Sequence, residues 1–423
     1  MRLTGLWRHG DFMRLWIAQT VSQFGSQITQ LGLPLTAALV LGASPAQMGI
    51  LGAAEFAPFL LFGLFAGVWV DRLPRRPILV CSDLGRALLL ATIPAAAYLG
   101  RLRMEQLYAV GFLAGILTVF FDVAYQSYLP SLVEREQMVE GNSKLEIGRS
   151  AAQIAGPGLA GGLIQLVTAP VAILLDSLSF LFSAAFLFGI RRAEPRPERP
   201  AGAGNIWQEI GEGLGVVLKS PLLRPIAFST ATSNLFGNVA FAVLILFVTR
   251  QLGIDAGALG IVFTLGSVGG MAGATVADRV ARAVGVGPTI VGAIWFSGLG
   301  TLLVPLVARP GRLGLAVLAL SVFVGALGSV VYNITQVSLR QAITPHRLQG
   351  RMNASMRFVV WGTIPIGSLI GGFLGEQIGL RETMLVGGLG GLLAGVWVFF
   401  SPVRSLRQQP EPVAEPAAAP LSS

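Results

Sequence analysis

Five acidic residues, Glu55, Asp83, Asp122, Glu146 and Asp176, stand inside stretches that are otherwise apolar. A carboxylate in such surroundings can bind and release a proton at working pH, which is the chemistry that proton coupling requires. Asp83 lies three residues before Arg86 on one helix face, the spacing of an ion pair. Glu146 and Asp176 sit near the ends of their stretches, where water can reach them. Asp122 remains as the coupling or relay candidate, with Arg149 as its partner. Glu55 precedes Asp71 by sixteen residues, about 24 Å along a helix, and is the second coupling candidate.

Polar residues recur at helical spacing in four of the apolar stretches. The first carries Gln19, Ser22, Gln23, Ser26 and Gln30; a later one carries Thr118, Asp122, Tyr125 and Gln126. Thr230, Ser233, Asn234 and Asn238 form a third stripe, and Ser329, Tyr332, Asn333 and Gln336 a fourth. Polar side chains within apolar helices need a wet or protein-lined surface. Amides, hydroxyls and aromatics with few charges suit an amphiphilic small molecule. The bland alternative is polar contact between packed helices.

Other chemistries find little support. The sequence has one cysteine, Cys81, and two histidines, His9 and His346, so neither a disulfide nor a metal centre is expected. No set of nucleophile, base and oxyanion donors is recognisable, which argues against an enzyme and against a cofactor. "GLGVVLKS" lacks the glycine that a phosphate-binding loop needs before its lysine, so no nucleotide is expected.

The elements that must hold these residues are membrane-spanning helices. The chain has 423 residues, 53% hydrophobic and 12% charged, against roughly 25% charged in soluble domains. Runs of about 20 apolar residues cross a bilayer as helices, because open strands leave backbone groups unsatisfied in lipid. Twelve such runs occur, from 13–41 to 381–401, placing both termini on one side. Of the 30 basic residues, only Arg101, Arg103, Arg250, Arg309, Arg312 and Arg381 fall on the alternate loops of the other side. The basic side should be cytoplasmic, in a bacterial inner membrane. The net charge of +9 is thus an orientation signal and not a nucleic-acid footprint.

The sequence also echoes itself. "GVWVDRLPRRP" at 67 resembles "GATVADRVARA" at 273, and Arg149 and Pro157 are matched by Arg357 and Pro365, all about 208 positions apart. Two six-helix halves follow, residues 1–190 and 224–403. Between them lies a cytoplasmic linker, 191–223, with a short surface helix, and residues 404–423 form a disordered Pro/Ala-rich tail.

The two halves and the "GVWVDRLPRRP" loop resemble the major facilitator superfamily. "FDVAYQSYLPSLVEREQMVEGNS", "LLDSLSFLFSA" and "EGLGVVLKSPLLR" resemble its transmembrane secretion effector branch, which includes macrolide-efflux-type and enterobactin-exporter-type proteins. The family loop reads G-x-x-x-D-R-x-G-R-R/K. Gly67, Asp71, Arg72, Arg75 and Arg76 match it, while Pro74 replaces a glycine and stiffens the turn. The second copy keeps Gly273, Asp278, Arg279 and Arg282. The resemblance implies a latch in which Asp71 and the arginines hold the halves together against the start of span eleven. It also implies that Asp122 joins this loop in a charge relay, and that spans one, four, seven and ten surround a central cavity.

"RSAAQIAGPGLAGG" resembles the antiporter motif G-x-x-x-G-P-x-x-G-G, matched by Gly156, Pro157 and Gly161, with Ala152 and Ala160 where glycines are usual. The expectation is an all-α twelve-helix exporter of small amphiphilic molecules, working by alternating access with proton antiport. Its partners are a small-molecule substrate, protons and the bilayer. An uptake permease, a lipid flippase or a non-transporting scaffold of the same fold are the alternatives.

Overall fold

The computed structural model describes residues 5–70, 72–192, 194, 206–306 and 311–408. Among them the regular structure is entirely helical, as a chain in lipid demands. The first set of six long helices is α1 (Gly10–Leu35), α2 (Pro45–Val70), α3 (Arg75–Tyr98), α4 (Met104–Leu132), α5 (Met138–Val167) and α6 (Ala169–Phe188). A short helix, α7 (Ile206–Lys219), follows. The second set is α8 (Leu223–Leu246), α9 (Ala256–Val284), α10 (Val286–Leu303), α11 (Arg312–Ile343), α12 (His346–Gln377) and α13 (Leu380–Phe399).

Ten of the twelve long helices are apolar enough over their length to cross a membrane. The other two, α1 and α5, are the exceptions for a physical reason. Gln19, Gln23, Gln27 and Gln30 interrupt α1, and Glu140, Lys144, Glu146 and Arg149 load the first turns of α5. Both helices are flanked by others: α1 packs between α5 and α6, and α5 lies between α1 and α9.

The two sets pack by the same plan. In the first, α1 contacts α5 and α6, α3 joins α6 to α4, and α2 lies on α4. In the second, α8 contacts α12 and α13, α10 joins α13 to α11, and α9 lies on α11. Even a local irregularity is repeated. α1 and α8 both run into a π-helical turn, Thr36–Val40 and Phe247–Gln251, and each is followed by a glycine with positive φ, Gly42 at 62° and Gly253 at 63°. Only glycine adopts that conformation without a Cβ penalty, so the elbow leading into α2 and into α9 is the same.

The halves meet along α2–α12 and α5–α9. Glycines let these backbones touch. A Cβ on Gly49 would lie 2.5 Å from the Ser368 carbonyl oxygen, and one on Gly161 would lie 2.4 Å from that of Ala256. Both contacts fall near the ends of the helices far from the chain termini. There the Arg250 guanidinium also donates to the Ala43 carbonyl at 2.7 Å, and the Ala46 N–H donates to the Glu376 carboxylate at 3.3 Å.

On the face that carries the termini, two ion pairs each lie within one half. Glu146–Arg149 (2.9 Å) and Asp278–Arg282 (2.7 Å) are both exposed ion pairs. The bundle is therefore sealed at the far face. The linker residues 195–205 and the tail from 409 lie outside the described residues.

Candidate functional site

Between the halves, beneath the far-face seal, is a cavity of about 310 Å³. Ser26, Thr29 and Gln30 of α1, Thr118 of α4 and Asn238 of α8 give it polar walls. Phe56 and Phe59 of α2, Phe180 of α6 and Phe241 of α8 give it aromatic ones. Glu55 faces it from α2, where Gly111 of α4 makes room: a Cβ on Gly111 would lie 3.1 Å from the Glu55 Cγ. A second cleft, between α1, α4 and α5 toward the terminal face, gathers Gln19, Gln23, Asp122, Tyr125, Gln126 and Arg149.

The stripe residues thus divide. Ser26, Thr118 and Asn238 line the central cavity with Glu55, and Gln19, Gln23, Asp122, Tyr125 and Gln126, nearer the terminal face, line the cleft. Ser22 is buried and donates to the Gln19 carbonyl. Asn234, Tyr332, Asn333 and Gln336 line neither space. Tyr332 is buried and its hydroxyl shares a 2.8 Å hydrogen bond with Thr230, tying α11 to α8. Gln336 donates to Asn333 at 3.0 Å, and Asn238 donates to the Asn234 carbonyl at 2.8 Å.

The charged residues are organised around Arg86. Its guanidinium pairs with Asp83 on the same helix and lies between two rings, 4.4 Å from the centroid of Phe121 and 4.1 Å from that of Phe180. Asp122 and Asp176 are also within its Coulombic reach, so one cation faces three carboxylates. Asp176 corrects the sequence expectation. It is not solvated at a helix end but 1% exposed, accepting from Thr29 and, at 3.0 Å, from Ser179. Its room comes from Gly25 on α1, where a Cβ would lie 2.4 Å from an Asp176 oxygen. Asp176, Ser179 and Ser183 are spaced i, i+3 and i+7, a polar stripe in α6 that sequence reasoning passed over.

Asp122 shares its cleft with Arg149, but Arg149 is bonded to Glu146, and the cations acting on Asp122 are Arg86 and Arg357. Arg357 lies on α12, so this attraction crosses between the halves. Glu55 differs from the other acids. Among the described residues it has neither a hydrogen-bond partner nor a cation in Coulombic reach.

In the loop after α2, Asp71 lies outside the described residues. Gly67 is in the last turns of α2, and Arg72 is exposed in the turn that follows. Arg75 is held by Glu194, which accepts from its N–H at 2.8 Å and from its guanidinium at 3.3 Å. The Arg76 N–H also reaches Glu194, and its guanidinium donates to the Leu187 and Phe188 carbonyls at the end of α6. Arg279 is exposed beside the Asp278–Arg282 pair. In α5, Gly156 abuts Gln27 of α1, Pro157 lies within the helix, and Gly161 touches α9.

The family model of the transmembrane secretion effectors matches residues 5–421. The chain belongs to that family. As a transmembrane secretion effector it is a major facilitator superfamily transporter, an integral membrane protein and not an enzyme. It is similar to the multidrug efflux pump Tap of Mycolicibacterium fortuitum, with 26% identity over 93% of this chain and 96% of the relative. Macrolide efflux protein A of Streptococcus pyogenes is 25% identical over 49% of this chain and 51% of its own. The fold is also that of a bacterial ferroportin homologue solved in an inward-facing state, with a TM-score of 0.74 at 18% identity, covering 94% and 99% of the two chains.

Proposed function

We propose that this secretion effector is a secondary active exporter of small amphiphilic molecules that works by alternating access and is driven by proton antiport. The observation that carries the reading is the central cavity: it lies where the halves meet, sealed on one face by glycine contacts, with a polar cleft toward the other. Export is supported by the names of the relatives, which are efflux proteins, and by the residues Gly156, Pro157 and Gly161 in α5. The basic loops put the termini, and so the face opposite the seal, in the cytoplasm of a bacterial cell.

In this reading Asp122 is the coupling group, Arg149 its neighbour in the cleft, and Glu55 a second proton-binding carboxylate. Protonating Asp122 removes its attraction to Arg357 across the halves, which changes their balance. The loop of Gly67, Asp71, Arg72, Arg75 and Arg76, with Asp278 and Arg279 in the second copy, closes the terminal face when the far face opens. The energy is adequate, since one charge moving down 100 mV yields about 2.3 kcal/mol.

The test is the accumulation of drugs, dyes and siderophores in cells expressing wild type or Asp122→Asn, with and without a protonophore. Lower accumulation with wild type alone, abolished by the protonophore, is the expected result. Higher accumulation would make the protein an importer, and export that survives the protonophore would rule out proton coupling.

A further inference from the structure

The charges around the cavity do not balance evenly. Asp83, Asp122 and Asp176 share Arg86, and Asp122 adds Arg357. Asp176 is further satisfied by Thr29 and Ser179. Arg86 itself is enclosed by Asp83, Phe121 and Phe180, leaving little of it to attract an anion. Only Glu55 presents a carboxylate to the cavity with no partner among the described residues. An unpaired charge in an enclosed site is costly, and a ligand that supplies the missing partner recovers that cost.

The walls beside Glu55 narrow the chemistry. Phe56 and Phe59 lie one and four residues further along α2, and Phe241 comes from the opposite half. Phe59 also stands edge-on to Trp361 of α12, their centroids 5.2 Å apart, so the rings span the halves. Ring faces attract cations, more strongly for the weakly hydrated organic ones than for ions that keep their water. No group of three metal-ligating side chains exists among the described residues, which disfavours a bare metal ion. The volume, about 310 Å³, is that of a small-molecule pocket.

We propose that the central cavity selects an organic monocation, with the Glu55 carboxylate as its counter-ion and the rings of Phe56, Phe59 and Phe241 around its apolar body. This rests on the transport reading above and narrows its substrate class. It assigns Glu55 a role in recognition that a purely proton-carrying group would not have. A neutral ligand of the same shape gains the rings but not the carboxylate, and an anion meets repulsion at the same place.

The experiment measures equilibrium binding to the full chain in lipid nanodiscs, with empty discs as the blank. The probes are tetraphenylphosphonium, whose charge is permanent, and triphenylphosphine oxide, which is neutral. Wild type should prefer the cation. Glu55→Gln should weaken cation binding by about tenfold, the size of one partly desolvated charge pair, and leave the neutral probe unchanged. Glu55→Asp should keep the preference, which shows that the charge matters and that the cavity is intact.

Equal binding of the two probes by wild type overturns the proposal. So does a Glu55→Gln variant that binds both as wild type does, the result expected if Glu55 only carries protons. Loss of both probes alike in Glu55→Gln also overturns it, since the carboxylate would then shape the cavity and not read charge. Export is judged separately by cellular accumulation: a charge preference without lower accumulation sinks export alone, and export without a charge preference sinks this proposal alone.

Discussion

At the scale of single residues, Arg86 and Asp11 make the clearest cases. Asp83 is fully buried and depends on Arg86, so Arg86→Ala should cost about 3–5 kcal/mol by stranding a buried charge. A detergent-solubilised thermal melt would show this as a large drop, partly restored in the Asp83→Ala double variant, which no longer strands Asp83 but still leaves Asp122 and Asp176 without Arg86. Asp11, in the first turn of α1 ahead of the apolar run, accepts from the N–H groups of Arg191 and Arg192 and from Arg14. Burial pushes its carboxyl up, but these donors outweigh burial and hold it below the usual carboxylate value. A depressed value means the stabilisation is present at neutral pH and fades as pH falls through the folded-state value. Asp11→Asn should therefore melt lower at pH 7, with the gap closing in acid. Residues also show where reading from sequence runs out. The ion pair of Asp83 with Arg86 was legible because both lie on one helix. The burial of Asp176 was not, because the room for it is made by the missing side chain of Gly25 on another helix.

At the scale of elements, long apolar runs made the helices legible, since lipid leaves the backbone no other way to pair. The polar stripes were only half legible. Their residues on α1 and α4, Ser22 excepted, reach the cavity or the cleft, whereas Tyr332 and Gln336 of α11 spend their hydrogen bonds within the second half. A polar residue at helical spacing announces that it avoids lipid and not which neighbour it meets. Glu194 had no signal at all, because it acts across sequence, fastening the start of α3 to the chain leaving α6. It holds Arg75, which the proposed latch would use. Glu194→Gln should release that arginine and shift the protein toward closure of the terminal face. The shift would be read as slower labelling, from that face, of a cysteine placed at Asn238 in a Cys81→Ser background. Unchanged labelling would make Glu194 a helix cap and nothing more.

At the scale of the whole molecule, two six-helix units share one packing plan and meet mainly along two helix pairs, α2–α12 and α5–α9. Bulk at those crossings should act on the balance between conformations more than on the folding of either unit. Gly49→Val puts atoms into the Ser368 backbone, a strain of about 1–3 kcal/mol borne by the form sealed at the far face. Labelling of the Asn238 cysteine from the far face should then accelerate by about tenfold, as such a bias implies. An unaltered rate would mean the helices slide to absorb the bulk. The polar half of the same seal has another consequence. Arg250 grips a carbonyl at Ala43, and Glu376 grips an N–H at Ala46. One side of each contact is main chain, which every substitution but proline at 46 preserves. Saturation mutagenesis under selection should therefore find these partners unequal: intolerance at 250 and 376, wide freedom at 46, and at the fully buried Ala43 a limit set by side-chain size alone.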